Sequence, residues 1–213
     1  MKVLFTDEIR KKLAASRVVA TVTIENVENA KPLAEALLEG GIRSIEITLR
    51  TSAAIDAIQR VTQSFPEMLV MAGTVISTEQ VKLVQDVGAL CAVAPGMNRK
   101  VIEAALDAGL PFAPGIVTPS EIESALEYDC DILKFFPAET SGGLSFLKNM
   151  QTPYSHLGLQ FIPLGGLNVS NAREYLKESY ILAVGGSWIA TADAIGAGDW
   201  IGIEERAATA AAL

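Results

Sequence analysis

One lysine of this sequence stands in an apolar run where its charge would be buried. The stretch DILKFFPAE has the pattern of a buried strand, and Lys134 lies in it between Ile132, Leu133, Phe135 and Phe136. A buried ammonium is costly unless it is paired or has lost its proton. The unprotonated amine is a nucleophile that can attack a ketone and form a Schiff base. The alternative is a lysine at a strand end whose ammonium reaches solvent.

A second run alternates polar and apolar residues and could supply a partner for that lysine. In IRSIEITLR four polar residues occupy alternate positions, and these are Ser44, Glu46, Thr48 and Arg50. Successive strand side chains point to opposite faces, so these four share one face. If that face and Lys134 both point into a barrel, the lysine nitrogen ends near the Glu46 carboxylate. The alternative is an interior Glu46–Arg50 network with a purely structural role.

Further candidates follow predicted strands, at the ends where a parallel barrel carries its active site. Thr74 ends one strand and Pro95 follows the next. Two glycine pairs, Gly165–Gly166 and Gly185–Gly186, follow the last two predicted strands. Glycines let backbone N–H groups approach an anion, and helix N-termini favour negative charge. The pairs therefore predict one phosphate site, while a tight turn explains each pair equally well.

Strand-like apolar runs alternate with helical patterns along the chain and would position these residues. Eight strands are predicted, at residues 17–23, 42–49, 68–73, 90–94, 111–113, 131–136, 159–164 and 180–184. A short helix in TDEIRKKLAA, capped by Thr6, precedes them. In STEQVKLVQDVG, Ser77 and Gln80 resemble a capping box and Gly88 a helix stop. The strand starts recur with the period of βα units.

Eight βα units in a chain of this length favour a (β/α)8 barrel, the TIM-barrel fold, with a short N-terminal helix. The 213 residues contain no linker or low-complexity tract, so residues 1–213 are predicted to form a single domain. A doubly wound open sheet is the alternative. It should carry a glycine-rich turn after its first strand, whereas TIENVENA contains no glycine.

Composition and charge exclude several classes of protein. A net charge of −8 without a basic cluster argues against nucleic-acid binding. No apolar run approaches the roughly 18 residues of a membrane span, and MKVLFTDEIRKKLAAS lacks the apolar region of a signal peptide. Cys91 and Cys130 lie in apolar stretches and are interpreted as buried thiols. We therefore expect a cytosolic protein.

The single histidine, His156, restricts the mechanisms that are available. It lies in the turn-like segment TPYSHLG and is interpreted as a surface or structural residue. A histidine-bound catalytic metal is excluded on ligand count, and a Ser-His-Asp triad would have to use this loop residue. Covalent catalysis through a lysine, without a metal or another cofactor, is the mechanism that these residues favour.

Several motifs resemble those of the 2-keto-3-deoxy-6-phosphogluconate (KDPG) aldolases, namely GGIRSIEITLRT, AGT, APG, LKFFPAE, GGL and VGGSW. The similarity runs from the first predicted strand to about Ser187. Members of this family are class I aldolases on a (β/α)8 barrel, commonly trimers. They split a phosphorylated 2-oxo sugar acid, 2-dehydro-3-deoxy-6-phosphogluconate, into pyruvate and glyceraldehyde 3-phosphate. Several also cleave 4-hydroxy-2-oxoglutarate to pyruvate and glyoxylate.

The resemblance implies a homotrimer and a role for each candidate residue. Lys134 resembles the Schiff-base lysine, and Glu46 matches the acid/base that moves protons during carbinolamine formation and C–C cleavage. Arg50 and Thr74 match residues that hold the pyruvate carboxylate, which suits the forked guanidinium of Arg. The other matches line the pocket (Pro95 and Phe136) or form the phosphate loops (Gly165, Gly166, Gly186 and Ser187).

One position departs from the pattern of this family. After the seventh predicted strand the family usually has Thr-Gly-Gly, whereas this chain has Leu164-Gly165-Gly166. Leu164 cannot form the hydrogen bond that a threonine hydroxyl would make to the hydroxyl-bearing half of the substrate, and such a loss changes selectivity by about one or two orders of magnitude. The substrate therefore stays open between KDPG and 4-hydroxy-2-oxoglutarate or another 2-oxo acid. A phosphate-binding barrel without lyase activity is a further alternative.

Overall fold

The computed structural model describes residues 5–213, in which parallel strands alternate with helices. The strands are β1 (Val18–Val22), β2 (Ser44–Thr48), β3 (Leu69–Gly73), β4 (Cys91–Val93), β5 (Phe112–Ala113), β6 (Gly115–Ile116), β7 (Ile132–Phe135), β8 (Gln160–Pro163) and β9 (Val184–Gly186). The α-helices are α1 (Asp7–Ser16), α2 (Ala30–Glu39), α3 (Ala54–Ser64), α4 (Thr78–Asp86), α5 (Arg99–Ala108), α6 (Pro119–Leu126), α7 (Gly143–Gln151), α8 (Val169–Tyr175), α9 (Ala192–Ala197) and α10 (Trp200–Ala211). Short 3-10 helices span Val27–Asn29, Glu139–Ser141 and Thr152–Leu157.

Two parallel sheets form the centre of the molecule. Six strands pair in the order β5-β4-β3-β2-β1-β9, and three pair in the order β6-β7-β8. Pro114 alone separates β5 from β6, and backbone hydrogen bonds join Phe161 of β8 to Tyr180 and Leu182, just before β9. The predicted α/β fold is confirmed as a parallel sheet curled into a half-barrel. Closure into a complete (β/α)8 barrel stays a prediction.

Two predicted strands differ from the observed ones. The strand predicted at residues 111–113 continues to Ile116 and is interrupted at Pro114, which has no N–H group for the strand ladder. The last strand lies at Val184–Gly186 rather than at 180–184, because its ladder with β1 pairs Gly185 with Val19 and Gly186 with Ala20. Near the predicted start of this strand, at residue 180, there is only an isolated bridge between Ile181 and Phe161. Apolar composition located the segment but could not tell which of its residues pair.

The two faces of the strands pack into separate apolar clusters. The outer cluster lies between strands and helices and includes Ile45, Ile47, Leu133 and Phe135. The inner cluster includes Ile9, Leu13, Val19, Leu69, Met71, Cys91, Val93 and Ile132, with Phe136 packed against it. The facing that the alternation predicts for β2 and β7 is therefore confirmed.

Helix ends follow the capping residues that the sequence contains. The Thr6 side chain accepts a hydrogen bond from the Ile9 amide at 3.3 Å and starts α1. Ser77 and Gln80 form the predicted capping box of α4, and Gly88 follows its end with φ +88°. Within the described residues, no helix is long and apolar enough to cross a membrane.

Candidate active site

A buried ion pair joins two strands that lie in different sheets. The Nζ atom of Lys134 on β7 is 2.8 Å from Oε1 of Glu46 on β2. Lys134 is 4% exposed and Glu46 is 1% exposed, so the lysine does not extend to solvent. The prediction that the lysine nitrogen ends near Glu46 is confirmed. A nucleophile hydrogen-bonded to a base is the arrangement that covalent catalysis requires.

Close contacts hold this pair in place. A Cβ atom at Gly73 would lie 2.7 Å from Cγ and 2.8 Å from Cδ of Glu46, so any side chain on Gly73 would displace the carboxylate. On the other side, the Lys134 ammonium lies 5.5 Å from the centre of the Phe136 ring, within cation–π range. The absence of a side chain at Gly73 leaves space for the Glu46 carboxylate, and the Phe136 ring packs against the Lys134 ammonium.

A cavity of about 380 Å³ lies at the carboxyl ends of the strands and reaches Lys134. Eight of the predicted site residues line it, and these are Lys134, Arg50, Phe136, Leu164, Gly165, Gly166, Gly186 and Ser187. Three predicted site residues are not among the lining residues: Glu46, which is buried against Lys134, and Thr74 and Pro95, which follow β3 and β4 at the same ends of the strands. The structure thus gathers most of the candidates, which are far apart in sequence, around one cavity.

Thr74 has a backbone conformation that is rare for threonine. Its φ is +59°, in the left-handed region that β-branched residues avoid. The next residue is tied to the neighbouring strand, since the Val75 amide donates to the Val93 carbonyl at 3.2 Å. Strained backbone of this kind concentrates at functional sites. The conformation therefore favours a functional role, and contact with the pyruvate carboxylate stays a prediction.

The turn at Gly165–Gly166 is tied to the segment that follows Lys134. The Ala138 amide donates to the Leu164 carbonyl at 2.7 Å, and the Glu139 amide donates to the Gly165 carbonyl at 3.0 Å. Both glycines have positive φ values, +95° and +84°, so the turn itself requires glycine. These bonds fix the turn relative to the ion pair. Phosphate binding at this turn stays a prediction.

Leu164 makes the neighbouring wall of the cavity apolar. It is 4% exposed, and a Cβ atom on Gly185 would lie 2.7 Å from its Cγ. Leu164 therefore occupies the space that the glycine leaves on β9. Leu167 lines the cavity next to it. At the position where the family resemblance predicts a threonine, the wall presents only methyl groups.

Sequence reasoning missed two threonines on β1 and just after it. Thr21 and Thr23 of the first strand segment line the cavity together with Thr48 of β2. Thr48 Oγ1 donates to the Val22 carbonyl at 3.0 Å and lies 3.0 Å from Thr23 Oγ1. The signal was present, because RVVATVT alternates as IRSIEITLR does and places Val19, Thr21 and Thr23 on one face.

Neither cysteine has the properties of a reactive nucleophile. Both are free and buried. Burial raises the pKa of the Cys91 thiol well above its ordinary value, and the nearby charge of Glu46 raises it further. Burial also raises the pKa of Cys130, to about 12. Both thiols are therefore protonated at neutral pH. Among residues 5–213, no three His, Cys, Asp or Glu side chains are grouped so that they could hold a metal ion.

Comparison with known proteins agrees with this geometry. The family model for KDPG and KHG aldolases matches residues 9–206. The 2-dehydro-3-deoxy-phosphogluconate aldolase of Treponema pallidum is 43% identical over 192 residues, which cover 90% of each chain. The KHG/KDPG aldolase of Escherichia coli K12 is 40% identical over 188 residues, 88% of this chain and 87% of the relative.

A solved structure is similar over nearly the whole chain. The KDPG aldolase of Legionella pneumophila, crystallised with pyruvate captured at low pH as a covalent carbinolamine intermediate, superposes with a TM-score of 0.88 at 38% identity. The match covers 93% of this chain and 96% of that one. The resemblance found in the sequence motifs is therefore confirmed, and the chain belongs to the KDPG and KHG aldolase family.

Proposed function

We propose that this protein is a class I aldolase that cleaves 2-dehydro-3-deoxy-6-phosphogluconate into pyruvate and glyceraldehyde 3-phosphate. The observation that carries the proposal is the ion pair of Lys134 and Glu46, buried beside the cavity with its atoms 2.8 Å apart. A buried ion pair is a weak source of stability, so its presence in an otherwise apolar interior points to chemistry. The aldolase names of relatives that are 40% and 43% identical give independent support.

Lys134 is the nucleophile of this reaction. It passes a proton to Glu46 along their hydrogen bond, and the free amine attacks C2 of the substrate to form a carbinolamine. Glu46 returns the proton to the carbinolamine hydroxyl, which leaves as water, and a protonated Schiff base remains. Pyruvate held as a carbinolamine in the Legionella pneumophila enzyme is in keeping with this step.

Cleavage uses the same two residues. Glu46 takes the proton of the C4 hydroxyl, the C3–C4 bond breaks, and its electron pair moves into the Schiff base to give an enamine. The aldehyde half leaves with the C4 carbonyl. Protonation at C3 and attack by water on C2 then release pyruvate and regenerate the Lys134 amine. One carboxylate serves each proton transfer because it lies beside the reacting carbon.

The remaining residues bind the two ends of the substrate. Arg50 and Thr74 hold the pyruvate carboxylate, while Pro95 and Phe136 flank the pyruvyl carbons. At the other end, backbone N–H groups of the phosphate loops bind the phosphate, and these loops comprise Gly165, Gly166, Gly186 and Ser187. The protein has a net charge of −8, so anions must be attracted by these local donors rather than by the overall field.

4-Hydroxy-2-oxoglutarate is the second candidate substrate. Leu164 favours it, because the wall beside the aldehyde half lacks the hydroxyl that the family usually has there. The name of the Escherichia coli relative includes both substrates. A phosphate-binding barrel without lyase activity would have no use for a lysine at the cavity with a glutamate buried behind it. The ratio of kcat/KM values for 2-dehydro-3-deoxy-6-phosphogluconate and 4-hydroxy-2-oxoglutarate shows which of the two is the preferred substrate.

The architecture around the site is inferred in the same way. The bonds from Phe161 to Tyr180 and Leu182, and the continuity through Pro114, support a single closed (β/α)8 barrel. We also propose that residues 1–213 form one domain; residues 1–4 lie outside the described ones. The homotrimer implied by the family and the cytosolic location stay predictions. Light scattering of the purified protein tests the trimer.

Reduction with borohydride in the presence of pyruvate tests the proposed function. Pyruvate should become attached to Lys134 and to no other lysine, as located by peptide mass mapping. Lys148 and Lys177 serve as internal controls because their side chains are 62% and 63% exposed. Labelling of these two lysines at a similar level, or no labelling at all, would refute the assignment of Lys134.

A further inference from the structure

The cavity has one apolar side wall and one hydroxyl-bearing side wall. Leu164 and Leu167 form the apolar wall after β8. Thr21 and Thr23 line the cavity on the segment of β1, and β9 separates that segment from β8. A substrate in this part of the cavity meets methyl groups beside β8 and threonine hydroxyls beside β1. Ser187 and Thr191 also line the cavity but follow β9, whereas the hydroxyls on β1 lie next to the strand that carries Glu46.

Thr21 lies directly beside the proposed acid/base residue. In the ladder of β1 and β2, Thr21 is the register partner of Glu46, so their side chains are neighbours on the inner face. The Thr21 hydroxyl is shielded from solvent and has no hydrogen-bond partner in the described structure. Buried hydroxyls are nearly always paired, and an exception needs an explanation. A ligand hydroxyl placed next to Glu46 would supply the missing partner.

Thr23 has a different hydrogen-bonding capacity. The Val22 carbonyl can only accept, so the single proton of the Thr48 hydroxyl is used in its 3.0 Å bond to that carbonyl. Thr48 must then accept from Thr23, whose hydroxyl is 3.0 Å away. This leaves the Thr23 oxygen with lone pairs but no proton for the cavity. Thr23 therefore accepts from a ligand hydroxyl and repels a ligand carboxylate.

We propose that Thr21 and Thr23 bind the hydroxyls of the aldehyde half, a role that rests on the proposed aldolase function. Thr21 binds the C4 hydroxyl, which must lie beside Glu46 to lose its proton. Thr23, two residues nearer the mouth, accepts from the C5 hydroxyl. Only the phosphorylated sugar acid has that hydroxyl, because 4-hydroxy-2-oxoglutarate carries a carboxylate at C5. Thr23 therefore selects the phosphorylated substrate, while Thr21 serves both.

Valine and serine variants of the two threonines test this proposal. Thr21→Val replaces the hydroxyl by a methyl group of similar size and should lower kcat/KM for both substrates by about tenfold or more. Thr23→Val should lower kcat/KM for the phosphorylated sugar acid severalfold and leave that for 4-hydroxy-2-oxoglutarate unchanged or higher. Thr21→Ser and Thr23→Ser restore the hydroxyls and should recover most of the loss.

Ser44→Ala is the matched control. Ser44 shares the inner face of β2 and also has a buried hydroxyl without a partner, but it does not line the cavity. Its removal should leave both kcat/KM values unchanged. Borohydride labelling of Lys134 by pyruvate should also be unchanged in every variant, because pyruvate lacks the aldehyde half. The melting temperature of Thr21→Val should equal or exceed that of the parent protein.

The possible outcomes separate the two proposals. Unlabelled Lys134 in the parent protein overturns the aldolase function itself. If the parent is labelled but Thr21→Val keeps full kcat/KM on both substrates, the role of Thr21 is wrong. A Thr23→Val variant with an unchanged substrate ratio overturns the selectivity argument. Parallel losses of labelling and melting temperature would show that the threonines support the fold rather than the substrate.

Discussion

The variant Gly73→Ala should slow the reaction although it replaces neither Lys134 nor Glu46. A Cβ atom at this position would lie 2.7 Å from Cγ and 2.8 Å from Cδ of Glu46, where ordinary contacts are 3.4–4 Å. The carboxylate must therefore shift by about 1 Å. Gly73 is a strand residue without a positive φ, so alanine can adopt its backbone conformation. The displacement of Glu46 is thus the main consequence of the added methyl group.

The size of the effect follows from that shift. A shift of about 1 Å moves Oε1 out of the position in which it accepts the 2.8 Å hydrogen bond of Lys134. Misplacement by this distance costs about 100-fold in rate, which corresponds to about 2.7 kcal/mol of activation free energy. We expect kcat for cleavage of the phosphorylated sugar acid to fall by that factor, measured through the pyruvate released. Borohydride trapping of pyruvate should slow as well, because both processes need the proton of Lys134 to reach Glu46.

Gly196→Ala is the matched control for this substitution. Gly196 lies in α9 without a positive φ, and no atom lies within 4 Å of a Cβ placed there. This variant should keep full activity and gain stability slightly, since alanine reduces the freedom of the unfolded chain. A folded Gly73→Ala protein whose kcat stays within about threefold of the parent would refute the reasoning, because the position of Glu46 would then not limit the rate.

Two further substitutions address the roles of Glu46 and Leu164. Glu46→Gln is nearly isosteric and should keep pyruvate affinity, measured by calorimetry, while kcat falls by about 100-fold or more; near-normal turnover would reduce Glu46 to an electrostatic partner of Lys134. Leu164→Thr restores a hydroxyl worth about 0.5–1.5 kcal/mol and should raise the kcat/KM ratio severalfold in favour of the phosphorylated sugar acid. Its melting temperature should fall, because contact with Gly185 is lost. An unchanged ratio would mean that this wall does not contact the substrate hydroxyls.

The features that the sequence predicts correctly are those set by local periodicity. Alternation predicted which residues share a face with Glu46 and with Lys134, since a strand offers only two faces, and the barrel hypothesis turned those faces inward. Capping residues located the ends of α1 and α4 for a similar reason, because Thr6 and Ser77 act on backbone groups only three residues away. The same alternation, applied to RVVATVT, would also have found Thr21.

The features that the sequence does not predict depend on contacts between distant segments. The need for glycine at position 73 arises from the side chain of Glu46, which lies 27 residues earlier. Gly185 and Gly186 suggested a turn, yet they are strand residues because β1 pairs with them. Likewise, the side chain of Leu164, just after β8, fills the space beside Gly185 of β9. Such pairings depend on strand register, which no single segment of the sequence encodes.

Lys134 lies on an apolar strand at the boundary between the inner apolar cluster and the cavity. Ile9 and Leu13 of α1 join the inner apolar cluster, whereas the cavity reaches the lysine from the carboxyl ends of the strands. The ion pair thus lies between the inner apolar cluster and the cavity. Two apolar residues there would be equally stable or more stable by about 1–4 kcal/mol, whereas loss of one charge leaves the other unpaired at about 3–5 kcal/mol. The interior therefore gives up stability to keep the amine that we propose as the nucleophile in contact with its proposed base, beside the cavity.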